Sequence, residues 1–204
     1  MKGTAQFKKS DAAAHSVSDL PEIVSKAEFE QEFLTREDDF YYEWVNGTVI
    51  KNPRDMNQYQ YYIRLNLQQY FDQLRQKNAV SGAFLVEVDT YLQPQVHRRP
   101  DMAWFSNPQL TQMAHRQNQV PEFVIEVISN NDEVDYLLDK LNDYAEANVK
   151  VVWLISPKLE QVHIYAGEKQ TIAKGAMICS AAPALPLFEI AASDIFAKPE
   201  LAQD

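Results

Sequence analysis

The sequence predicts an α/β fold in which a mixed central β-sheet is flanked by helices and preceded by an N-terminal helix and a β-hairpin. Apolar runs at positions 121–129 and 150–155 are short and rich in β-branched residues, which is typical of buried strands. Between positions 56 and 77 apolar residues recur every three or four positions, as in an amphipathic helix. The dipeptide Asn46-Gly47 separates two short β-type segments and favours a two-residue type I′ turn.

Length and composition indicate one domain and restrict its partners. With 204 residues and 46% hydrophobic content, the chain can bury one sizeable core, and we expect a domain at 21–204 after a flexible polar tail at 1–20. The formal charge of −10 repels nucleic acid unless basic residues are gathered locally. The single cysteine, Cys179, and the lack of a signal peptide or long apolar run predict a cytoplasmic protein that does not enter the membrane.

The first half of the chain predicts a short helix, a hairpin and a long helix. Ser25 to Glu28 has the spacing of a capping box, in which the serine and glutamate side chains satisfy backbone N–H groups, so a helix begins there. Tyr42 to Val45 and Thr48 to Ile50 are the predicted hairpin strands. The long helix covers Met56 to Lys77.

The next segments predict a strand, a loop, a short strand and a longer loop. β-branched and aromatic residues extend from Gly82 to Leu92, and a loop bounded by prolines follows at Pro94 to Pro100. Asp101 to Phe105 is a predicted short strand. The polar segment Ser106 to Val120 is a predicted loop.

The last part of the chain predicts a helix followed by three strands. Asn130 to Asp132 is a plausible cap for this helix. Successive strands are predicted at 150–155, 161–165 and 171–178. The predicted core stripe of the helix consists of Val134, Leu137, Leu138, Leu141, Tyr144 and Ala145.

The predicted buried strand at 121–129 has an acidic residue, Glu126, in its middle. An unpaired ionised carboxylate in an apolar interior costs several kcal/mol. A protein cation, a metal ion or a wet cleft must therefore compensate Glu126. A buried ion pair without chemistry is the plain alternative, since such pairs also occur in protein cores.

Two further charged residues accompany Glu126 in a fixed order. Asp101 begins a predicted strand, and Lys140 lies in the helix that follows the Glu126 strand. Carboxylate oxygens on neighbouring strands can converge on Mg²⁺, which prefers oxygen ligands, and the backbone carbonyl of Val127 would be a further ligand. A lysine beside such a site can lower the pKa of water or neutralise charge on a phosphoryl transition state.

From about Ser25 to about Phe196 the sequence resembles the Uma family of restriction endonucleases, a branch of the PD-(D/E)xK nuclease superfamily. The resemblance rests on an ordered set of motifs rather than on one of them. These motifs are Tyr42-Glu43 with Asn46-Gly47, Pro100-Asp101, Pro121-Glu122 with Glu126-Val127-Ile128-Ser129, Lys140 with Tyr144, and Trp153 to Pro157.

This resemblance implies a restriction-endonuclease-like fold and a metal-dependent endonuclease that hydrolyses DNA with Mg²⁺ or Mn²⁺. It implies that Asp101 and Glu126 hold the metal, that Lys140 is the catalytic lysine and that Glu43 is an added acidic member. The chain departs from the superfamily at Ile128, where the superfamily has its lysine. The lysine function therefore depends on Lys140 reaching back from its helix.

Two expectations concern partners. The short basic sequence Arg98-Arg99 beside Asp101 could contact a phosphate backbone, although such loops are more often only solvated. The alternative to a nuclease is a noncatalytic binding or scaffold protein that keeps the fold. In both cases we expect a homodimer.

Overall fold

The structure is a computed structural model that describes residues 23–54, 58–129 and 133–199. The predicted tail at 1–20 and the predicted cap at Asn130 to Asp132 lie outside these residues. The helices are α1 (Lys26–Glu28), which continues as a π-helical turn (Phe29–Phe33), α2 (Gln58–Gln76), α3 (Asn107–Ala114), α4 (Val134–Glu146) and α5 (Ala192–Ile195). The strands are β1 (Phe40–Val45), β2 (Thr48–Pro53), β3 (Ala83–Val86), β4 (Thr90–Gln93), β5 (Val96–Arg98), β6 (Met102–Phe105), β7 (Phe123–Val127), β8 (Val151–Ser156), β9 (Gln161–Ala166), β10 (Lys169–Lys174), β11 (Ile178–Ala181) and β12 (Leu185–Ala191).

The central sheet has six strands in the order β10-β9-β8-β7-β6-β3. Strands β7 and β8 are parallel and the other neighbours are antiparallel, so the predicted mixed α/β fold is confirmed. Alternation along β7 sends Phe123 and Ile125 into the core that contains Phe71 of α2. It sends Val124 to the other face, where Tyr144 of α4 packs. Glu126, two positions after Val124, therefore points towards α4.

A second sheet, with the order β2-β1-β5-β4, carries the predicted hairpin. Asn46 and Gly47 have φ angles of +49° and +93°, as a type I′ turn requires, and Val45 pairs with Thr48. The capping box of Ser25 and Glu28 is also confirmed. The aromatic residues behind the hairpin form a separate small core of Phe29, Phe33, Tyr42 and Trp44.

Three predicted segments differ from the structure. The predicted strand from Gly82 to Leu92 is two strands, because Glu87 takes a positive φ of 50° between β3 and β4. The predicted loop at 106–120 contains α3, which Ser106 and Gln109 cap reciprocally. The predicted strand at 171–178 ends at Lys174, before Gly175 turns the chain with a positive φ.

Strand β5 corrects the prediction of a loop at Pro94 to Pro100. It pairs with β4, its neighbour in sequence, and with β1, about fifty residues earlier in the chain. In the pairing of β5 with β1, Trp44 lies opposite His97. Strand β5 thus lies inside the second sheet, and its side chains are buried.

The predicted core stripe of helix α4 is confirmed at Tyr144 and Leu141, which pack in the core, but it is wrong at Val134 and Leu138. Val134 and Leu138 are 71% and 51% exposed, whereas Lys140 and Tyr144 are buried. Residues four apart lie on one helix face, so Lys140 and Tyr144 point in the same direction. The helix therefore directs a cation and a phenol at the sheet. No helix within the described residues is both long enough and apolar enough to cross a membrane.

The hairpin turn provides a test of the fold. A Cβ added at Gly47 would lie 3.0 Å from the side chain of Ile23, and the φ of +93° is strained for other residues. At Gly167, in the β9–β10 turn, φ is +58° and no atom lies within 4 Å of the added Cβ. We expect Gly47→Ala to lower the free energy of unfolding by about 2 kcal/mol and Gly167→Ala by about 1 kcal/mol. Urea denaturation measures both, and equal losses would contradict the role of the Ile23 contact.

Candidate active site

The centre of the site is the end of β7, where an acidic side chain lies in a fully buried strand. Glu126 keeps 6% exposure. Met102 of β6 is the antiparallel partner of Ile125, so the next step of the register places Asp101 beside Glu126. Oδ2 of Asp101 accepts a hydrogen bond from the backbone N–H of Val127 at 2.7 Å. The two carboxylates predicted to hold a metal are therefore neighbours.

Helix α4 brings the predicted lysine to the same place. The Nζ of Lys140 lies 2.7 Å from Oε1 of Glu126 and 3.5 Å from Oε1 of Glu43. The hydroxyl of Tyr144 donates a hydrogen bond to the same Oε1 of Glu126. Because Glu43 is on β1, Lys140 joins the second sheet to the central sheet. The four predicted catalytic residues thus form one cluster, although their roles in catalysis stay predictions.

One row of alternating charges begins at Glu126, and we call it the Glu126 network. After Lys140 and Glu43 it continues to Arg98, whose Nη1 lies 2.8 Å from Oε2 of Glu43. Nη2 of Arg98 lies 2.6 Å from Oδ2 of Asp143, which ends the row. The Glu126 network therefore has three carboxylates and two cations.

A second row begins at Asp101, and we call it the Asp101 network. The Nη2 of Arg64 on α2 binds Oδ1 of Asp101, and its Nη1 lies 2.9 Å from Oε1 of Glu87. The row continues to Arg99, whose Nη2 lies 3.9 Å from Oε2 of Glu87 and whose Nη1 lies 3.7 Å from Oδ1 of Asp89. The Asp101 network again has three carboxylates and two cations.

Burial sets the protonation of the central ion pair. It raises the pKa of Glu126 to about 7, and Asp101 contributes to the rise, whereas Lys140 and Tyr144 oppose it. For Lys140, burial favours the neutral amine, but Glu126 and Glu43 hold its pKa well above the ordinary value. Lys140 is therefore a cation at neutral pH, and Glu126 lies near the midpoint of its titration.

Glu43 has the opposite electrostatic environment. Burial alone would raise its pKa, but Lys140 and Arg98 lower it to about 2, helped by the backbone N–H of Arg99 at 2.9 Å. The hydroxyl of Tyr136 also donates to Oε2 of Glu43 at 2.7 Å. Glu43 is thus a carboxylate at every physiological pH and holds the cations of the Glu126 network in place.

The location of Arg98 corrects the prediction that it contacts nucleic acid. Its side chain is 2% exposed, and both ends of the guanidinium bind carboxylates within the fold. Strand β5 places it there, because the segment predicted as a loop is part of the second sheet. Arg99, the next residue, points the other way and keeps 18% exposure of its side chain. Arg99 remains the candidate for a phosphate contact.

The sequence analysis did not assign Arg64 and Gln60 to the site. Both are buried on α2, and Nε2 of Gln60 lies 3.5 Å from the carbonyl oxygen of Val127. A signal for them exists in the sequence, because Gln60 and Arg64 continue the buried helix face of Leu67 and Phe71 at helical spacing. Two polar residues on a buried face indicate buried polar partners.

The oxygen atoms near Glu126 fit a hard divalent cation in their chemistry. Tyr144 and Lys140 both contact the same oxygen of Glu126, Oε1. The N–H of Val127 points at Asp101, and since the N–H and C=O of a strand residue point to the same side, its carbonyl does too. Such oxygens are the ligands that Mg²⁺ prefers. Within residues 23–54, 58–129 and 133–199 no group of three or more His, Cys, Asp or Glu side chains is arranged to hold a metal, and the carbonyl of Val127 accepts a hydrogen bond from Gln60.

Comparisons with known proteins agree with this architecture. A solved structure described as "a putative nuclease belonging to DUF820", from Anabaena variabilis, superimposes with a TM-score of 0.69. The two proteins share 14% sequence identity, and the match covers 83% of this chain and 96% of that one, which shows a common fold. No curated protein gives a significant match. Residues 27–193 match the model of the Uma2 family, which is described as "Putative restriction endonuclease". The chain belongs to the Uma2 family.

Proposed function

We propose that this protein is a metal-dependent phosphodiesterase and that its substrate is DNA. The observation that carries the proposal is the meeting of Asp101 and Glu126 at the ends of β6 and β7, with the Nζ of Lys140 2.7 Å from Glu126. Two carboxylates and a lysine in this order are also the motif by which the sequence resembles the PD-(D/E)xK nucleases. The family match supports a nuclease function.

Asp101, Glu126 and the carbonyl of Val127 would hold Mg²⁺ or Mn²⁺. When bound there, the ion supplies Lewis-acid stabilisation of charge on a phosphoryl group. Lys140 remains protonated, so it neutralises charge that develops on the phosphate oxygens in the transition state and does not remove a proton from water. Glu43 keeps the ammonium group of Lys140 in place between the two sheets.

The charge balance of the site supports a divalent partner. The Glu126 network and the Asp101 network together contain six carboxylates and four cationic side chains. When all of them are ionised and His97, whose Nε2 lies 3.4 Å from Oδ1 of Asp89, is neutral, each network has one negative charge in excess. The two unbalanced networks begin at neighbouring carboxylates, Glu126 and Asp101, so a dication at that point would neutralise both.

Cleavage assays test the proposal. Purified wild-type protein is expected to cleave plasmid or single-stranded DNA with Mg²⁺ or Mn²⁺ and to lose this activity in EDTA. We expect Glu126→Ala and Lys140→Ala to lower the cleavage rate about a hundredfold, since each removes a charge at the reacting phosphate. The matched control is Lys150→Ala, because Lys150 also lies 2.8 Å from a glutamate, Glu122, but is on the surface.

The control variant is expected to keep the wild-type rate to within about twofold. Circular dichroism establishes that each variant is folded. Activity that survives both Glu126→Ala and Lys140→Ala would contradict the assignment of the site. A wild-type protein without activity on any DNA, in the presence of either metal, would contradict the proposed function.

A second candidate function is that of a noncatalytic binding or scaffold dimer. The observation that favours it is the direct ion pair of Glu126 with Lys140 and of Asp101 with Arg64, since carboxylates that already have protein cations can be purely structural. Titration calorimetry with Mg²⁺ or Mn²⁺ separates the two functions. A folded protein that gives no heat of metal binding would favour the scaffold. The homodimer and the cytoplasmic location stay predictions.

The ion pair of Arg64 with Asp101 predicts an unusual response to mutation. A metal must compete with the guanidinium for Asp101, so Arg64→Met is expected to increase the affinity for Mn²⁺ about tenfold. Arg75→Met on the same helix is the control, because Arg75 is exposed and pairs with Asp72 at 3.2 Å. Calorimetry measures both affinities. Weaker binding in Arg64→Met would mean that Arg64 positions Asp101 and does not compete with the metal.

A further inference from the structure

A groove of about 280 Å³ lies between α2 and the edge of the central sheet. Its lining residues are Tyr61, Arg64, Leu65, Gln68, Val86 and Met102. Most of this surface is apolar, with Arg64 as the charged residue. The residues that we assigned to metal and phosphate chemistry do not include its apolar members.

The groove begins directly at the Asp101 network. Met102 follows Asp101 on β6, and Val86 precedes Glu87 at the end of β3. Val86 and Met102 are cross-strand partners, and Arg64 lines the groove while it binds Asp101 and Glu87. A nucleotide whose phosphate lies at Asp101 would therefore have its neighbouring base or sugar at this groove.

Two of the lining side chains, one from α2 and one from β3, are largely exposed. Tyr61 is 64% exposed and Val86 is 49% exposed. A protein with a formal charge of −10 obtains little long-range attraction from a phosphate backbone, so its affinity for a nucleic acid must come from other contacts. Stacking of a base on an aromatic ring is such a contact, and it is independent of charge and tolerant of sequence.

We propose that this groove binds an unpaired nucleobase of the cleaved strand, stacked on the ring of Tyr61. The proposal rests on the proposed phosphodiesterase function and specifies its substrate as single-stranded DNA or DNA with unstacked bases. The volume supports a base as the occupant, because it lies just below the usual size of small-molecule sites and is too small for a helix of a partner protein.

Binding of a labelled oligothymidylate, followed by fluorescence anisotropy with Ca²⁺ in place of Mg²⁺, tests the proposal. Tyr61→Ala is expected to weaken binding about tenfold, and Tyr61→Phe to keep it, because the ring rather than the hydroxyl makes the contact. Tyr59→Ala is the matched control, since Tyr59 is also an exposed tyrosine of α2 and does not line the groove. A blunt duplex is expected to bind more weakly than the single strand. In cleavage, Tyr61→Ala is expected to raise KM about tenfold with little change in kcat.

Unchanged oligonucleotide affinity in Tyr61→Ala would overturn the proposal, as would equal losses in Tyr61→Ala and Tyr61→Phe, or tighter binding of the duplex. These results are distinct from a failure of the proposed function. If the wild type cleaves DNA and Tyr61→Ala has the same KM, only the base-binding groove is wrong. If the wild type neither binds nor cleaves any DNA, the proposed function and the groove are both wrong.

Discussion

Replacement of Arg98 by methionine is expected to lower the free energy of unfolding by about 3 to 5 kcal/mol at neutral pH. Arg98 is fully enclosed and binds Glu43 at 2.8 Å and Asp143 at 2.6 Å. Without the guanidinium, the more distant Lys140, at 3.5 Å, is the one ionic partner of the buried Glu43 among the residues that the structure describes. Most of the expected loss is the cost of leaving a buried carboxylate poorly compensated, rather than the worth of one ion pair.

The loss in Arg98→Met is expected to depend on pH in a defined direction. In the wild type the pKa of Glu43 is lowered to about 2, so its stabilising contribution is present above its ordinary pKa and is lost as pH falls from about 4.5 to about 2. In Arg98→Met this pKa rises, because one of the cations that lowers it is gone. The difference in free energy between the two proteins should therefore shrink as pH falls towards 3.

Guanidinium denaturation of Arg98→Met and Arg99→Met provides the matched measurement. Arg99 makes longer ion pairs, at 3.7 and 3.9 Å, so its replacement is expected to cost about 1 kcal/mol. The double variant Arg98→Met with Glu43→Gln should recover part of the stability, because the buried charge is then removed as well. A loss below about 1 kcal/mol in Arg98→Met would contradict the structural assignment of this arginine.

Local sequence signals predicted the elements whose structure depends on neighbouring residues. The hairpin needs only the positive φ angles that Asn46-Gly47 readily takes, and the first helix needs only the capping box at Ser25. Strand β5 was not predicted, because one of its partners is β1, far away in sequence. Its prolines at both sides are typical of a loop. Pairing over such distances is decided by the whole sheet and not by the segment.

The site, like the fold, was predictable only where a local sequence signal indicates it. Glu126 disrupts a clear strand pattern, so the anomaly indicates a partner without identifying it. The partner Lys140 was found through its motif, whereas the apolar stripe of α4 predicted that Leu138 would face inwards. Burial of Lys140 is stable only because two carboxylates from different sheets surround it. A pattern within one helix does not contain that information, and the same holds for Arg64.

The free energy of unfolding of the wild type is expected to fall by about 3 kcal/mol as the pH rises from 4.5 to 7. Glu126→Gln should not show this fall. Burial raises the pKa of Glu126 to about 7 in the folded protein, above its ordinary value of 4.5. A carboxyl group with a raised pKa contributes stability that is fully present below the unfolded pKa and is lost as pH rises through the folded one. The neutral amide of glutamine does not titrate, so the variant should lose this slope.

The measurement is the difference in free energy of unfolding between wild type and Glu126→Gln, at several pH values from 4 to 8. Tyr144→Phe is the companion variant. The tyrosine hydroxyl donates to Oε1 of Glu126 and stabilises the ionised form, so its loss should move the midpoint of the transition to higher pH. A constant difference between wild type and Glu126→Gln across this range would contradict the raised pKa.

A divalent cation links this titration to the proposed function. If Mg²⁺ or Mn²⁺ binds at Glu126, it stabilises the ionised carboxylate and should move the same midpoint to lower pH. The ion should also increase the stability of the wild type at pH 7 and leave Glu126→Gln nearly unchanged. A buried ion pair of Glu126 and Lys140 without a metal site would titrate identically with and without the ion. Stability measured with and without the ion therefore distinguishes a metal centre from a structural ion pair, and this test does not require a DNA substrate.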